Sequence, residues 1–214
     1  MHKLEHVLPA DIEKTSFRMI GEELAERKIE VAPELAPVIY RVIHTTADFE
    51  YAETMAFSGN VMQQALDIFS RGPLIVTDTT MVYSGINKRA LEALGGEARC
   101  FIADPEIAAE AKARGVTRST AAMERAMREE RPTVFAVGNA PTALISLYEG
   151  IQKGYRPALV IGVPVGFVNV VQAKEMIMET DVPWIVNRGR KGGSNVAAAV
   201  CNAILYQLGD DPRF

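Results

Sequence analysis

With 214 residues, 48% hydrophobic and 23% charged, the chain has enough apolar material for a real core and no low-complexity stretch that argues for disorder. A formal net charge of −4 argues against a general nucleic-acid binder, while leaving room for a local cationic pocket. The apolar runs are strand-sized and broken by Gly or Pro, and the opening MHKLEHVLPADIEK lacks the apolar core of a signal peptide, so a cytoplasmic protein without membrane contact is expected.

In chain order, Asp11 to Lys28 has helical periodicity, with Ile12, Phe17, Ile20, Leu24 and Ala25 as the apolar stripe. Pro33 opens a second helix in which Leu35, Val38, Ile39, Val42 and Ile43 fall at helical spacing. Ser58-Gly59-Asn60 breaks the chain before an amphipathic helix from Val61 to Phe69. These segments precede any strong strand signal and are read as an N-terminal helical layer.

From Gly72 the pattern alternates. Pro73 to Asp78 reads as a buried strand, a turn with Gly85 follows, and Lys88 to Leu94 is helical. Arg99 to Ala103 is the next strand candidate. Asp104-Pro105 starts a helix that Gly115 ends, and Thr117-Arg118-Ser119 starts another reaching about Glu130. The strand Thr133 to Val137 stops at Gly138. Asn139 then offers an N-cap oxygen, and Pro141 suits the first turn of a helix running to Gly150. A strand at Ala158 to Gly162, a helix around Ala173 to Glu179, a strand from Trp184 and an Ala-rich helix from Ser194 to Leu208 complete the chain. Five strand signals alternating with helices predict an α/β fold over residues 1–214: one domain, with a mainly parallel sheet of about five strands and helices on both faces.

Three strands end in glycine turns, at Gly138, at Gly162-Val-Pro-Val-Gly166 and at Arg188-Gly-Arg-Lys-Gly-Gly193, which suggests one concave edge suited to an anionic ligand. Neither the dinucleotide fingerprint nor a phosphate loop is present, so a nucleotide- or phosphosugar-binding enzyme stands only as an alternative. Three histidines, His2, His6 and His44, are too scattered for a metal cluster, and no metal site is expected. Cys100 and Cys201 read as buried thiols, in a strand and a helix respectively. A lone helical histidine is more often structural, but His44 has Arg41 one turn before it and Asp48 four residues after it. If the helix continues that far, the Asp48 carboxylate fixes the imidazole tautomer and favours its protonated form, which makes a proton donor beside an anionic substrate.

These segments in this order resemble the precorrin-8X methylmutase family of corrin biosynthesis, including its cobalt-precorrin-8 branch. The matching blocks are Ser16-Phe17, Arg41-Val-Ile-His44-Thr-Thr-Ala-Asp48, Asp78-Thr-Thr-Met-Val-Tyr-Ser-Gly85, Thr117-Arg118-Ser119, Gly138-Asn-Ala-Pro-Thr, Gly162-Val-Pro-Val-Gly-Phe-Val168 and Arg188-Gly-Arg-Lys-Gly-Gly-Ser194. The resemblance implies a methyl shift between neighbouring carbons of ring C, with the catalytic histidine at His44 as proton donor and no separate cofactor. It places substrate binding on Ser16, Arg41 and Arg118; Asn139 and Arg188 join them from their places at strand ends. It also implies a corrinoid tetrapyrrole, with or without cobalt, as substrate, and a homodimer with the site near the subunit boundary. A floor of Met81, Val165 and Phe167 could face the flat macrocycle. One block departs from the family pattern: where Glu-Ser-Lys is common, this chain has Gln172-Ala173-Lys174. A tetrapyrrole carrier without turnover is the non-catalytic alternative.

Overall fold

The computed structural model describes residues 11–209; His2 and His6 lie outside the described residues. Helix α1 (Ile12–Glu26) buries Phe17, Ile20 and Leu24 at spacings of three and four, as an amphipathic helix must. A turn at 33–35 precedes α2 (Ala36–Thr46), which carries Pro37 in its first turn, buries Val38, Ile39, Val42 and Ile43, and ends on Ala47 with φ 54°. A short α3 (Tyr51–Thr54) leads into β1 (Met55–Phe57), followed by α4 (Val61–Ser70) and β2 (Leu74–Thr77). Then come α5 (Thr80–Gly85), α6 (Lys88–Ala93), β3 (Glu97–Arg99), a 3-10 turn at Phe101–Ala103, α7 (Pro105–Arg114) and α8 (Arg118–Ala126). The chain closes with β4 (Thr133–Val137), α9 (Pro141–Gln152), β5 (Leu159–Gly162), α10 (Val170–Met178), β6 (Trp184–Asn187) and α11 (Ser194–Leu208).

The strands form one sheet in the order β1-β6-β5-β4-β2-β3, parallel throughout except for β1, which pairs antiparallel with β6. Side chains alternate between the faces, as a strand period of two requires. Val134, Ala136, Leu159 and Ile161 join a core with α1, α2, α4 and α11, whereas Phe135, Val137 and Val160 join a second core with α7 to α10. The α/β architecture with helices on both faces is therefore as expected. From β2 the chain winds outward to β3, then returns to β4 and winds the opposite way to β5 and β6. The winding reverses between β2 and β4, where doubly wound sheets open a crevice at the strand carboxyl ends.

Three local expectations change. The sheet has six strands, because Met55–Phe57 pairs with Ile185–Asn187; three residues are too few to leave an alternation in the sequence. The strand expected at Arg99 to Ala103 lies at Glu97–Arg99, where it pairs with Leu74–Val76. Phe101 turns off the sheet to pack against the second core beneath Arg125, whose guanidinium lies 5.3 Å from its ring centroid. Cys100 consequently follows the strand and is half-buried, while Cys201 is fully buried in α11 with its thiol pKa pushed up to about 12. The turn before Gly85 contains a helix, nucleated where the Thr79 hydroxyl accepts the Val82 N–H at 3.2 Å.

Candidate active site

The strand-end crevice is built around Asp78, 1% exposed at the end of β2. Its Oδ1 accepts the Gly138 N–H at 2.9 Å, and its Oδ2 accepts those of Asn139 and Ala140 at 2.8 and 2.7 Å. A carboxylate from the neighbouring strand thus satisfies the N–H groups at the start of α9, the end of a helix that favours negative charge. Burial raises the Asp78 pKa, and the three N–H donors act against that rise. The N-cap position falls on Ala140, and the Asn139 oxygen makes no capping bond. This corrects the expectation for Asn139: with Asp78 holding the turn, its side chain is left exposed on the crevice. Glycine is needed at 138, because a Cβ there would lie 2.6 Å from Ser194 Cα, where the start of α11 crosses the strand end. The hydroxyls of Thr79 and Ser194 meet at 3.0 Å across the same junction.

Arg118 is the first residue of α8, whose N-terminus is capped by Thr117 Oγ1 accepting the Thr120 N–H at 3.1 Å. The same hydroxyl reaches Thr142 on α9 at 3.1 Å, so exposed Arg118 and exposed Asn139 stand at adjoining helix starts. Arg188 is exposed on the loop after β6, and its N–H donates to the Thr54 carbonyl at 2.8 Å. The residues expected to floor a macrocycle are exposed beside these strand ends: Met81 at 67%, Val165 at 46% and Phe167 at 81%. Arg190 stacks on Phe167 with its guanidinium 5.4 Å from the ring centroid.

The second group gathers at the end of α2. His44 Nδ1 lies 2.8 Å from Ser16 Oγ on α1, and its ring packs edge-on against Phe17 with centroids 5.5 Å apart. His44 is nevertheless an exposed residue. Arg41, 7% exposed, pairs with Glu13 and lies against the rings of Phe17 and Tyr206, at 4.7 and 4.9 Å from their centroids. Partial burial of the imidazole, and then the Arg41 charge, hold the His44 pKa below its usual value.

Asp48 does not take the place expected of it. The helix stops at Thr46 and Ala47 turns left-handed, so Asp48 leaves the helical path. Its carboxylate accepts from Lys191 Nζ at 2.6 Å and from the Glu50 N–H at 3.0 Å, and these contacts lower its pKa. The partner of His44 is a serine 28 positions away, a pairing that no local spacing could reveal. Ser16, Arg41 and His44 are therefore brought together. Among the described residues no hydrogen bond links them to Arg118, Asn139 or Arg188, which stand on the strand-end crevice. The Lys191–Asp48 pair ties the end of α2 to the loop that carries Arg188.

Two residues that organise this region were not singled out from the sequence. Asp78 had a signal, an acid closing an apolar run. Lys174, which is 0% exposed, had only its place in a helix and its match to the lysine of the family's Glu-Ser-Lys.

Comparison with known proteins places these observations. Residues 11–207 match the family model described as precorrin-8X methylmutase (CbiC). The chain is 43% identical to the cobalt-precorrin-8 methylmutase of Salmonella typhimurium, over 97% of this chain and 99% of that protein. It is 36% identical to the precorrin-8X methylmutase of a Sinorhizobium species, over 90% of this chain and 92% of the relative. The solved structure of precorrin-8X methylmutase from Thermus thermophilus superposes with a TM-score of 0.83 at 40% identity, covering 91% of this chain and 96% of that one. No described helix is long and apolar enough to cross a membrane.

Proposed function

The chain belongs to the precorrin-8X methylmutase family, and from that premise we propose that His44 donates the proton that steers a methyl shift on ring C of precorrin-8X or cobalt-precorrin-8. The enzyme is an isomerase of the intramolecular-transferase kind, in cobalamin biosynthesis. The observation that carries the proposal is the Ser16–His44 contact on an exposed residue. With Nδ1 engaged by the serine hydroxyl, Nε2 is the nitrogen left to face a ligand. In the imidazolium form both nitrogens donate: Nδ1–H to Ser16 Oγ, and Nε2–H to the macrocycle.

Protonation of the conjugated ring leaves an electron-poor carbon beside the one that bears the methyl group. The methyl migrates with its bonding pair, so one carbon–carbon bond breaks as its neighbour forms. Loss of a proton then restores neutrality, and the product is an isomer of the substrate. A lowered imidazole pKa suits the task, since a more acidic imidazolium gives up its proton more readily.

Arg118, Asn139 and Arg188 are read as substrate-binding groups, because exposed guanidinium and amide donors on one crevice suit the carboxylate arms of the macrocycle. Ser16 and Arg41, for which the resemblance implies substrate binding, are read here as acting through His44, Ser16 by orienting the imidazole and Arg41 by setting its charge balance. Exposed Met81, Val165 and Phe167 suit a flat apolar ring face.

The test is conversion of precorrin-8X, and of its cobalt form, followed in the visible spectrum, where the interrupted conjugation changes on rearrangement. His44→Ala should lower turnover by about 100-fold or more, the scale of a lost general acid, while corrinoid still titrates onto the protein. Wild-type turnover in that variant would rule out His44 as donor. Tight corrinoid binding by the unaltered chain with no conversion would mark it as a carrier.

A further inference from the structure

Outside the groups already assigned, the most unusual side chain among the described residues is Lys174, on α10 and 0% exposed. Burying an ammonium group is costly, and among the described residues no carboxylate pairs with it. Its Nζ donates instead to two main-chain carbonyls of the loop after β6, Gly189 at 2.9 Å and Lys191 at 2.7 Å. Burial alone draws its pKa down to about 8.

The loop is held by more than this lysine. Asn187, also 0% exposed, donates through Nδ2 to the carbonyls of Arg188 at 3.1 Å and Lys191 at 2.9 Å, and the Gly166 N–H donates to the Arg190 carbonyl at 3.2 Å. All four carbonyls from Arg188 to Lys191 are thus taken up by donors. Gly193 N–H reaches the Val163 carbonyl at 2.9 Å, and Gly192, at φ +156°, fits where a Cβ would meet that carbonyl at 2.1 Å. With the negative ends of its peptide groups engaged, the loop presents the exposed guanidinium side chains of Arg188 and Arg190 to solvent. A buried cation beneath such a loop adds to its positive potential in a low-dielectric surrounding.

We propose that Lys174 is a positioning residue that shapes the Arg188–Gly193 loop into a seat for the carboxylate arms of the corrinoid substrate. The proposal rests on the functional reading above and deepens it. It gives the loop a ligand class, the carboxylate, and makes the buried ammonium the group on which that seat is built. Neither Lys174 nor its proton takes part in the methyl shift, so its removal should weaken binding and spare the chemical step.

The experiment compares Lys174→Met, which removes charge and donors at similar length, with Lys174→Gln, whose neutral amide keeps two donors. Steady-state conversion of precorrin-8X gives KM and kcat, and thermal unfolding shows that each variant is folded. Folded Lys174→Met should raise KM about tenfold or more, the scale of a lost charge-assisted contact, with kcat kept within about twofold. Lys174→Gln should fall between it and the unaltered enzyme. Arg188→Ala should also raise KM, and combining it with Lys174→Met should add less than the sum of the two effects, because both act on one seat.

A folded Lys174→Met with an unaltered KM, or with a lowered kcat and unaltered KM, overturns the proposal. Should the methionine variant not fold, Lys174→Gln decides by the same criteria. If Arg188→Ala raises KM but the Lys174 variants do not, this inference fails alone. If the unaltered chain does not convert precorrin-8X, the functional reading fails first.

Discussion

At the scale of single residues, the decisive geometry is the Ser16–His44 pair beside Arg41. Partial burial and the guanidinium charge both disfavour the imidazolium, so the proton donor we propose is populated only below a pKa that is lower than usual. Turnover should therefore decline as pH rises through that value. Arg41→Met removes one of the two causes and exposes His44 to Glu13, so the alkaline limb of the kcat/KM profile should move to higher pH. Profiles measured across about pH 5 to 8, the range in which histidine titrates, check both statements. A rate that rises with pH over that range would mean that neutral His44 is the active form. Arg41 could be read from the His44 neighbourhood in the sequence, but the Ser16 contact could not, because the spacing pointed to Asp48. One left-handed residue, Ala47, breaks the helical period and sends that carboxylate to Lys191.

At the scale of elements, the glycine turns owe their shape to polar side chains that lie elsewhere in the chain. Asp78 on β2 holds the start of α9, and Lys174 on α10 holds the loop after β6. Asp78→Asn puts an NH2 group where at least one backbone N–H now finds an acceptor. Leaving that buried donor unmatched should cost about 1–3 kcal/mol in denaturant unfolding, whichever way the amide is turned. For Lys174 the sign follows from linkage. Its folded pKa of about 8 lies below the ordinary lysine value of 10.5, so the unfolded chain binds more protons between them. Stability contributed by this group should therefore rise with pH across that window. The difference in thermal midpoint between the unaltered protein and Lys174→Met should shift in favour of the unaltered protein as pH rises from about 8 to 10.5. A difference independent of pH would show that the lysine does not titrate there.

At the scale of the whole molecule, the sheet order brings the functional candidates to the strand carboxyl ends. Reversal of winding between β2 and β4 puts Asp78 beside the Gly138 turn, and β5 and β6 continue the same edge toward Arg188. Exposed Phe167 and Val168, at 81% and 75%, are large apolar groups to leave beside a polar crevice. Our reading gives them either the macrocycle face or a second copy of the chain to cover. Sedimentation at micromolar concentration should give the mass of a pair of chains if the homodimer implied by the family resemblance forms. A single-chain mass under turnover conditions would remove the partner from the site.

What the sequence determined by itself is what local periodicity and local chemistry carry. The long helices, the four buried strands, the glycine turns and the alternation that makes an α/β sheet all have signals within a few residues of one another. Blocks containing His44, Arg118 and Arg188 likewise sufficed for the family. The tertiary structure decided the rest, because the remaining contacts join distant positions. It made β1 a strand by giving it β6 as a neighbour, and moved β3 two residues toward the N-terminus to match β2. It replaced Asp48 by Ser16 at the imidazole, and it put a carboxylate and a lysine under two turns whose only signals in sequence were their glycines and, at the first, Asn139 and Pro141. A hydrogen bond between residues far apart in the chain leaves no period to read; it exists only once the sheet has fixed which strand ends lie side by side.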